Sequence, residues 1–248
     1  MEKRLYEDLL RSEDQHWWHL AKRKLVGDLI STLAGPENLR LLDFGCGTGR
    51  NVEEFSRFGE AWGVDVSGEA INFCRARGIR NLAASAEALP EASFDVVTIL
   101  DVLEHTDDAA TLDTIYKLLK PAGVVIVTVP AYQWLWSGWD EVLHHRRRYY
   151  RGTLKRLFLQ HGFEVQLCSY LYSFLLLPVL VVRLLKKLIC RGDYSSDFKI
   201  SSPGLNLLGW ALTELERPMV KAGLVPFGTS LLVVARRREL QLDKAAGT

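Results

Sequence analysis

Leu39-Arg40-Leu41-Leu42-Asp43-Phe44-Gly45-Cys46-Gly47-Thr48-Gly49-Arg50-Asn51 reads as an apolar strand that runs into three alternate glycines and then into helix-forming residues. Glycines at such a turn remove Cβ atoms where a ligand must touch backbone, and they permit dihedrals that other residues resist. Tight strand-to-helix turns also occur without any ligand, so the turn needs a second witness. A second strand, Glu60-Ala61-Trp62-Gly63-Val64-Asp65, supplies it by ending in an acid 20 residues after Gly45. At about that spacing an αβ unit brings a carboxylate to a ribose diol. Together the turn and the acid predict a site for a nucleoside cofactor.

Outward from this unit the pattern keeps alternating. Residues 2–34 read as helix, and Gly35-Pro36-Glu37-Asn38 breaks the pattern ahead of the first strand. Phe94 to Leu100 and Gly123 to Pro130 are further apolar strands, with Lys120-Pro121-Ala122-Gly123 as the turn into the second of these. This alternation predicts a parallel, doubly wound sheet. A polar, aromatic segment then spans Ala131 to Tyr150, followed by a helix from about Thr153 to His161 and a strand from Phe163 to Cys168. Thr229 to Ala235 supplies a final strand, and the tail beyond Arg238 reads as frayed.

A dinucleotide site would show G-x-G-x-x-G with a diphosphate on the helix N-terminus. Here the order is Asp-x-Gly-x-Gly-x-Gly, and an acid before the turn suits a cationic sulfonium and amino group better. The stretch resembles the first motif of class I S-adenosylmethionine (SAM) methyltransferases. The resemblance continues through Ser85-Ala86-Glu87-Ala88-Leu89-Pro90, the strand ending at Leu100, and Asp101-Val102-Leu103-Glu104-His105. It covers roughly residues 38–170 and recurs at the final strand. It implies an α/β, Rossmann-like sheet, mostly parallel with the last strand antiparallel. Helices lie on both faces, and a helical insertion precedes that strand. The division it implies is an N-terminal helical lid (1–37), a SAM-binding core (38–170), an apolar and basic insertion (171–228), the last core strand (229–238) and a tail (239–248).

For the cofactor, the resemblance implies that Asp43, Gly45, Cys46, Gly47 and Gly49 form the methionine end. Asp65 and Val66 take the ribose, Ala86 meets the adenine, and Leu100 closes the pocket from the fourth strand. Ser85 stands where many relatives carry an Asp on the adenine amine, so Glu87 is the candidate substitute. The combination of Trp17-Trp18, Val129-Pro130-Ala131-Tyr132 and His145-Arg146-Arg147-Arg148-Tyr149 is similar to a bacterial subgroup associated with polyprenyl-linked glycan synthesis. Asp101-x-x-Glu104-His105 is similar to the Glu-x-x-Glu-His metal site of ubiquinone-biosynthesis O-methyltransferases, with a shorter acid at the first position. A metal is not expected.

The chain has 248 residues, 48% of them hydrophobic, and a formal net charge of +1. That composition supports one enlarged α/β domain with a large core and argues against bulk binding of nucleic acid. Four cysteines without a CxxC pair or metal-finger spacing predict reduced thiols in the cytosol. The N-terminal Met1-Glu2-Lys3-Arg4 leads into a charged amphipathic stretch, not an apolar signal core.

Between the last two strands, Tyr170 to Val182 forms a mostly apolar run broken by Pro178 and followed by Arg183, Lys186, Lys187 and Arg191. It falls short of the ~20 residues that span a bilayer. A buried core helix and an interfacial element with a basic end are both open readings. A second apolar patch, Leu205 to Leu212, favours the interfacial one, with peripheral contact through residues 171–191 at the cytoplasmic membrane face.

Methyl transfer to a hydroxyl is an in-line displacement that also needs a base. Histidine is the economical choice. His105 lies just past the fourth strand, and His145 lies in Ser137 to Arg151, which follows the fifth strand. His145 is the expected base, with His105 lining the site, Asp140 orienting His145, and Arg147, Arg148 and Tyr149 gripping an anionic group. A solvated loop paired with Asp140 and Glu141 is the plain alternative. Adjacent Trp17 and Trp18 cannot share one helix stripe, so one of them covers something besides the core. Trp18 is the candidate lid over the sulfonium, with simple packing equally open. The expected function is a SAM-dependent methyltransferase acting at oxygen on a lipid-linked or amphiphilic anionic acceptor. A quinone-precursor O-methyltransferase is the alternative, and a SAM-binding scaffold without turnover is the reading from another class.

Overall fold

A computed structural model describes residues 3–33, 38–189 and 202–239. The expected tail therefore lies, beyond Glu239, outside the described residues, as do the 34–37 break and Arg191. One seven-stranded sheet organises the chain in the order β3-β2-β1-β4-β5-β7-β6. Its strands are β1 (Leu39–Phe44), β2 (Gly59–Val64), β3 (Leu82–Ala83), β4 (Phe94–Leu100), β5 (Leu119–Pro130), β6 (Phe163–Leu171) and β7 (Ser230–Arg237). The first five pair in parallel, and β7 runs antiparallel to both β5 and β6. This is the expected Rossmann-like sheet with an antiparallel last strand.

The central strands are largely apolar because both faces are covered. Val96, Val97, Ile99 and Val124 to Val127 are almost wholly buried. The chain order reverses at β1, which has β2 on one side and β4 on the other. At such a switch point the loops after the two strands part and leave a crevice at the sheet's C-terminal edge.

The N-terminal segment forms two helices, where the sequence suggested one. These are α1 (Lys3–Ser12) and α2 (Trp17–Leu33), separated at residues 13–16, where the His16 amide still bonds the Ser12 carbonyl at 2.7 Å. Polar side chains hold the two helices to the glycine turn. Glu13, nearly fully buried, pairs with Arg77 and accepts from the Thr48 hydroxyl, while Asp14 accepts from Arg50 Nε at 2.5 Å. Burial at an unmet carboxylate would be costly, so these pairs fix where the segment docks.

The remaining helices are α3 (Arg50–Phe55), α4 (Gly68–Ala76), α5 (Asp108–Leu118), α6 (Gly138–Val142), α7 (Arg151–Gln160), α8 (Ser173–Ile189) and α9 (Pro203–Lys221). The last two lie between β6 and β7. α9 packs along α2, with Gly209 facing Trp17 so closely that a Cβ there would lie 2.6 Å from the indole. Glu216 joins α9 to the end of β6, accepting from the Tyr172 and Ser173 amides at 2.7 Å. The opposite side of this pair is apolar and exposed: Leu177 and Val181 on α8, Leu205, Leu207 and Leu208 on α9. Among the described residues, no helix is long and apolar enough to cross a membrane.

Candidate functional site

The C-terminal edge of the sheet opens into a cavity of about 1740 Å³. Three groups of residues line it: the glycine turn with Asp65 and Ala86, the β4 and β5 loops with their histidines, and apolar side chains of α8. α1 and α2 form its roof.

At the turn, Gly45, Gly47 and Gly49 all have positive φ. A Cβ on Gly45 would lie 2.6 Å from a Val102 methyl, so no larger residue fits the close pass of the two loops. Asp65 closes the other side. Its Oδ2 accepts the Gly47 amide at 3.0 Å and its Oδ1 accepts the Ser67 amide at 2.9 Å. Val66 and Leu100 line the cavity, and so does Ala86. Glu87 also reaches it, with its carboxylate bonded to the Ser85 hydroxyl at 2.6 Å.

Asp43 and Gly49 stand apart from the cavity lining. Asp43 is buried behind the turn, where the Thr98 hydroxyl donates to it at 2.6 Å. Burial pushes its carboxyl up to about 6, against the opposing hydrogen bonds from Thr98 and Asn51. It braces the turn from beneath. Gly49 packs against Ile79 and Cys74. Cys46 lies 3.7 Å, sulfur to sulfur, from Cys74, a neighbour 28 residues away that the sequence pattern did not reveal.

The second cluster is built by α6 and the loop after it. Ser137 and Asp140 form a capping box, with the Ser137 amide donating to Asp140 Oδ2 at 2.8 Å. Asp140 is fully buried and accepts from His145 Nδ1 at 2.9 Å and from Arg148 Nε at 2.7 Å and Nη2 at 3.0 Å. Burial alone would raise its carboxyl, but the bonds from His145 and Arg148 hold it well below the usual carboxylate range. An ionised carboxylate accepts only, so Nδ1 of His145 carries the hydrogen, and in the neutral imidazole the lone pair is on Nε2. That Nε2 lies 3.9 Å from Glu104 Oε1.

His105 meets His145 edge to face, with ring centroids 4.7 Å apart. Burial, and secondarily the nearby His145, lower its imidazole to about 4, and a hydrogen bond to the His144 backbone orients it. Glu104 is buried, and neither of its oxygens accepts a hydrogen bond among the described residues. Burial and the neighbouring Asp101 raise its carboxyl well above the ordinary range. Donor atoms of Glu104, His105 and His145 lie within 4.8 Å of one another.

Three expected residues have other partners. Arg148 is spent on Asp140, and Arg147 Nη1 bonds Asp108 Oδ2 at 2.7 Å, away from the cavity lining. Tyr149 is buried, its hydroxyl 3.3 Å from Asp108 Oδ2. Carboxylates supplied by α5 and α6 thus neutralise the run expected to grip an anion. Trp18 does line the cavity, but the cation over its ring is Lys22, 3.3 Å from the centroid. Lys22 itself was not foreseen, because its partner Asp101 lies 79 residues away.

A family model described as a methyltransferase domain matches residues 17–167, more than half of the chain. The chain belongs to the methyltransferase domain family. It is 36% identical over 110 residues to the ubiquinone biosynthesis O-methyltransferase of Rhodopseudomonas palustris, covering 40% of this chain and 42% of the relative. The match to its Neisseria meningitidis namesake is 37% identical and covers 46% of this chain and 57% of the relative. The chain thus spans about half the length of the curated relatives it matches. Its fold is similar to a chain of the complex between the Haloferax volcanii Trm112 methyltransferase activator and a methyltransferase, at TM-score 0.59 and 18% identity over 94% and 93% of the two chains. It is also similar to the Haemonchus contortus phosphoethanolamine N-methyltransferase 2 solved with SAM, at TM-score 0.55 and 17% identity over 87% and 52%.

The glycine turn of this chain fits the SAM cofactor expected from the sequence. A Cβ on Gly47 would meet only Leu9 of the roof, at 3.7 Å, which leaves an open cradle beside the Asp65 carboxylate. The expected metal set fits less well. Asp101 Oδ1 accepts from the Thr128 hydroxyl at 3.2 Å and Oδ2 from Lys22, so the motif's first acid is already bonded.

Proposed function

We propose that this methyltransferase acts at oxygen, on an amphiphilic phenolic acceptor of the quinone-precursor type. One observation carries the reading: the Asp140–His145 pair presents an imidazole lone pair to a cavity whose far wall is the apolar side of α8. Leu175, Pro178 and Val179 offer room for a hydrocarbon tail, while His145 and His105 meet a polar head. The name of the Rhodopseudomonas palustris relative supports an oxygen acceptor.

SAM supplies an electrophilic methyl group on a sulfonium. His145 Nε2 takes the acceptor hydroxyl's proton, and Asp140 stabilises the imidazolium that results. Bound SAM would give its methyl carbon to the acceptor oxygen and keep the electron pair of the broken carbon–sulfur bond on sulfur. The glycine turn and Asp65 fix one reactant while the cavity fixes the other, and in-line placement of this kind removes much of the barrier.

The finer assignments belong to the same reading. Asp65 holds the ribose hydroxyls, the 45–47 backbone holds the methionine end and Ala86 meets the adenine. The exposed apolar face of α8 and α9 rests on a lipid surface and lets a tailed acceptor pass into the cavity. The polyprenyl-glycan acceptor rested on a resemblance of three motifs, with Arg147 and Arg148 expected to grip its anionic group. With Arg147 and Arg148 paired to carboxylates, it has no structural observation in its favour.

The test is transfer of labelled methyl from SAM to a catechol and, separately, to a membrane-lipid extract, with products identified by mass spectrometry. Label on a phenolic oxygen is expected. Label found only on nitrogen or carbon overturns the oxygen assignment.

A further inference from the structure

Lys22 is a charged residue in the cavity that the steps above leave without a task. It projects from the first half of α2, its side chain is 10% exposed, and its Nζ donates to Asp101 Oδ2. The Trp18 ring covers it on another side at 3.3 Å. An ammonium carries three N–H donors. Among the described residues, Asp101 is the only hydrogen-bond acceptor that takes one. A buried ammonium retains its charge only where partners compensate the lost water. Lys22, Trp18, Asp101 and Glu104 all border the cavity.

The position on the sheet gives this cation its meaning. Asp101 follows β4 directly and has a φ of 56°, a left-handed value that costs a non-glycine residue energy and so needs support from its surroundings. Its two oxygens are held by Lys22 and Thr128. This is the acid at which the sequence resemblance would place a metal. The roof helix has put an ammonium there instead.

We propose that Lys22 supplies the positive charge that holds the acceptor's oxygen as it loses its proton, with Asp101 and Trp18 as its positioning residues. The inference rests on the hydroxyl-acceptor reading above and adds a specificity to it: the site selects hydroxyls whose anion meets an ammonium opposite the histidine pair. The sulfonium charge disappears on transfer, and so does the oxygen anion, so a fixed ammonium favours the ionised acceptor before transfer and releases the neutral ether after it. Glu104 from the β4 loop, Asp43 at the end of β1 and Arg23 on the same helix are the other charged or titratable groups acting on Lys22, besides His19, one turn earlier on the helix.

The test uses 4-nitrocatechol, whose absorbance reports its ionisation, bound to the full chain loaded with S-adenosylhomocysteine (SAH). With the native protein, the bound probe is expected to ionise about one pH unit or more below the free probe, as an opposite charge within a few ångströms produces. Lys22→Met should abolish this shift while leaving SAH affinity within about twofold, a change too small to matter on the ~1.4 kcal/mol per tenfold scale. Lys22→Arg should retain most of it. Lys22→Met strands the Asp101 carboxylate, so Lys22→Met/Asp101→Asn is measured beside it, and Asp101→Asn alone, which keeps the lysine but removes its positioning carboxylate, should retain only part of the shift.

An unchanged shift in the double variant overturns the proposal. So does a shift lost on adding a chelator, which would assign the charge to a metal. Loss of SAH affinity with the probe's shift intact would overturn it by moving Lys22 to the cofactor's carboxylate. Failure of the native protein to bind the probe removes the phenolic acceptor itself, and the inference falls with it, an outcome distinct from binding without a shift.

Discussion

Asp140→Asn strikes the one residue on which both the histidine's orientation and a buried charge balance depend. The fully buried Asp140 carboxylate serves His145, both nitrogens of the Arg148 fork and the Ser137 amide. Asparagine keeps the shape but carries one acceptor oxygen. If that oxygen faces His145 it still accepts from Arg148 Nε, but the amide NH2 meets Arg148 Nη2 and the Ser137 amide donor against donor, and Arg148, with a side chain 9% exposed, loses its counter-charge. Removing one partner of a buried pair costs roughly 3–5 kcal/mol. For a chain of this length each kcal/mol lowers the melting temperature by roughly 2–4 °C, so the loss should be roughly 6–20 °C. Turnover should fall by roughly 10²-fold or more, since the negative charge that stabilises the imidazolium is gone.

Thermal unfolding and single-turnover methyl transfer to a catechol read the two effects separately. Asp140→Asn/Arg148→Met should recover most of the stability and none of the turnover. A melting temperature within about 2 °C of native for the single variant, less than the shift expected of even 1 kcal/mol, would refute the charge cluster as described. Native turnover in the double variant would refute the role of His145.

Other consequences are open to measurement. Glu104, raised mainly by burial, contributes stability that is complete below its ordinary value of about 4.3 and is lost as pH rises through its higher folded value. Glu104→Gln does not ionise, so its melting-temperature advantage over native should be near zero at acid pH and grow towards pH 8; a constant difference would contradict the shift. Gly45→Ala forces a Cβ to 2.6 Å from Val102 at a φ of +76°, and should cost about 1–3 kcal/mol and weaken SAH binding. Native thermal stability and affinity would show that the turn has more room. Leu177→Glu/Leu207→Glu should abolish flotation with vesicles containing anionic lipid; flotation equal to native would exclude this face from lipid contact.

Most of the scaffold was legible because it depends on local order. Alternate glycines after an apolar strand, and an acid at the end of the next one, specify the turn wherever they occur. Asp140 and His145 were also within reach, since five residues separate them across one short helix. What stayed hidden depends on packing between distant segments. Pairing with Asp140 was open in the sequence as the plain alternative for this loop, but nothing near Arg147 reveals that α5 would aim Asp108 at it. Trp18 was read as a lid for a cationic ligand, and the cation proved to be one helical turn away on its own helix. Lys22 acquires significance only once α2 lies across the end of β4. Asp43 was placed at the methionine end by its position in the motif, and its side chain reaches Thr98, a buried partner 55 residues away that the sequence pattern did not reveal.

The central claim is that the glycine turn and Asp65 hold the cofactor, and calorimetric titration with SAH tests it most directly. The native protein should bind SAH at a single site, and Asp65→Ala should weaken that binding at least about tenfold, as expected when a charged hydrogen-bond acceptor worth about 1.5–3 kcal/mol is removed. Equal affinity in the two proteins, or no heat from the native protein at all, would contradict it.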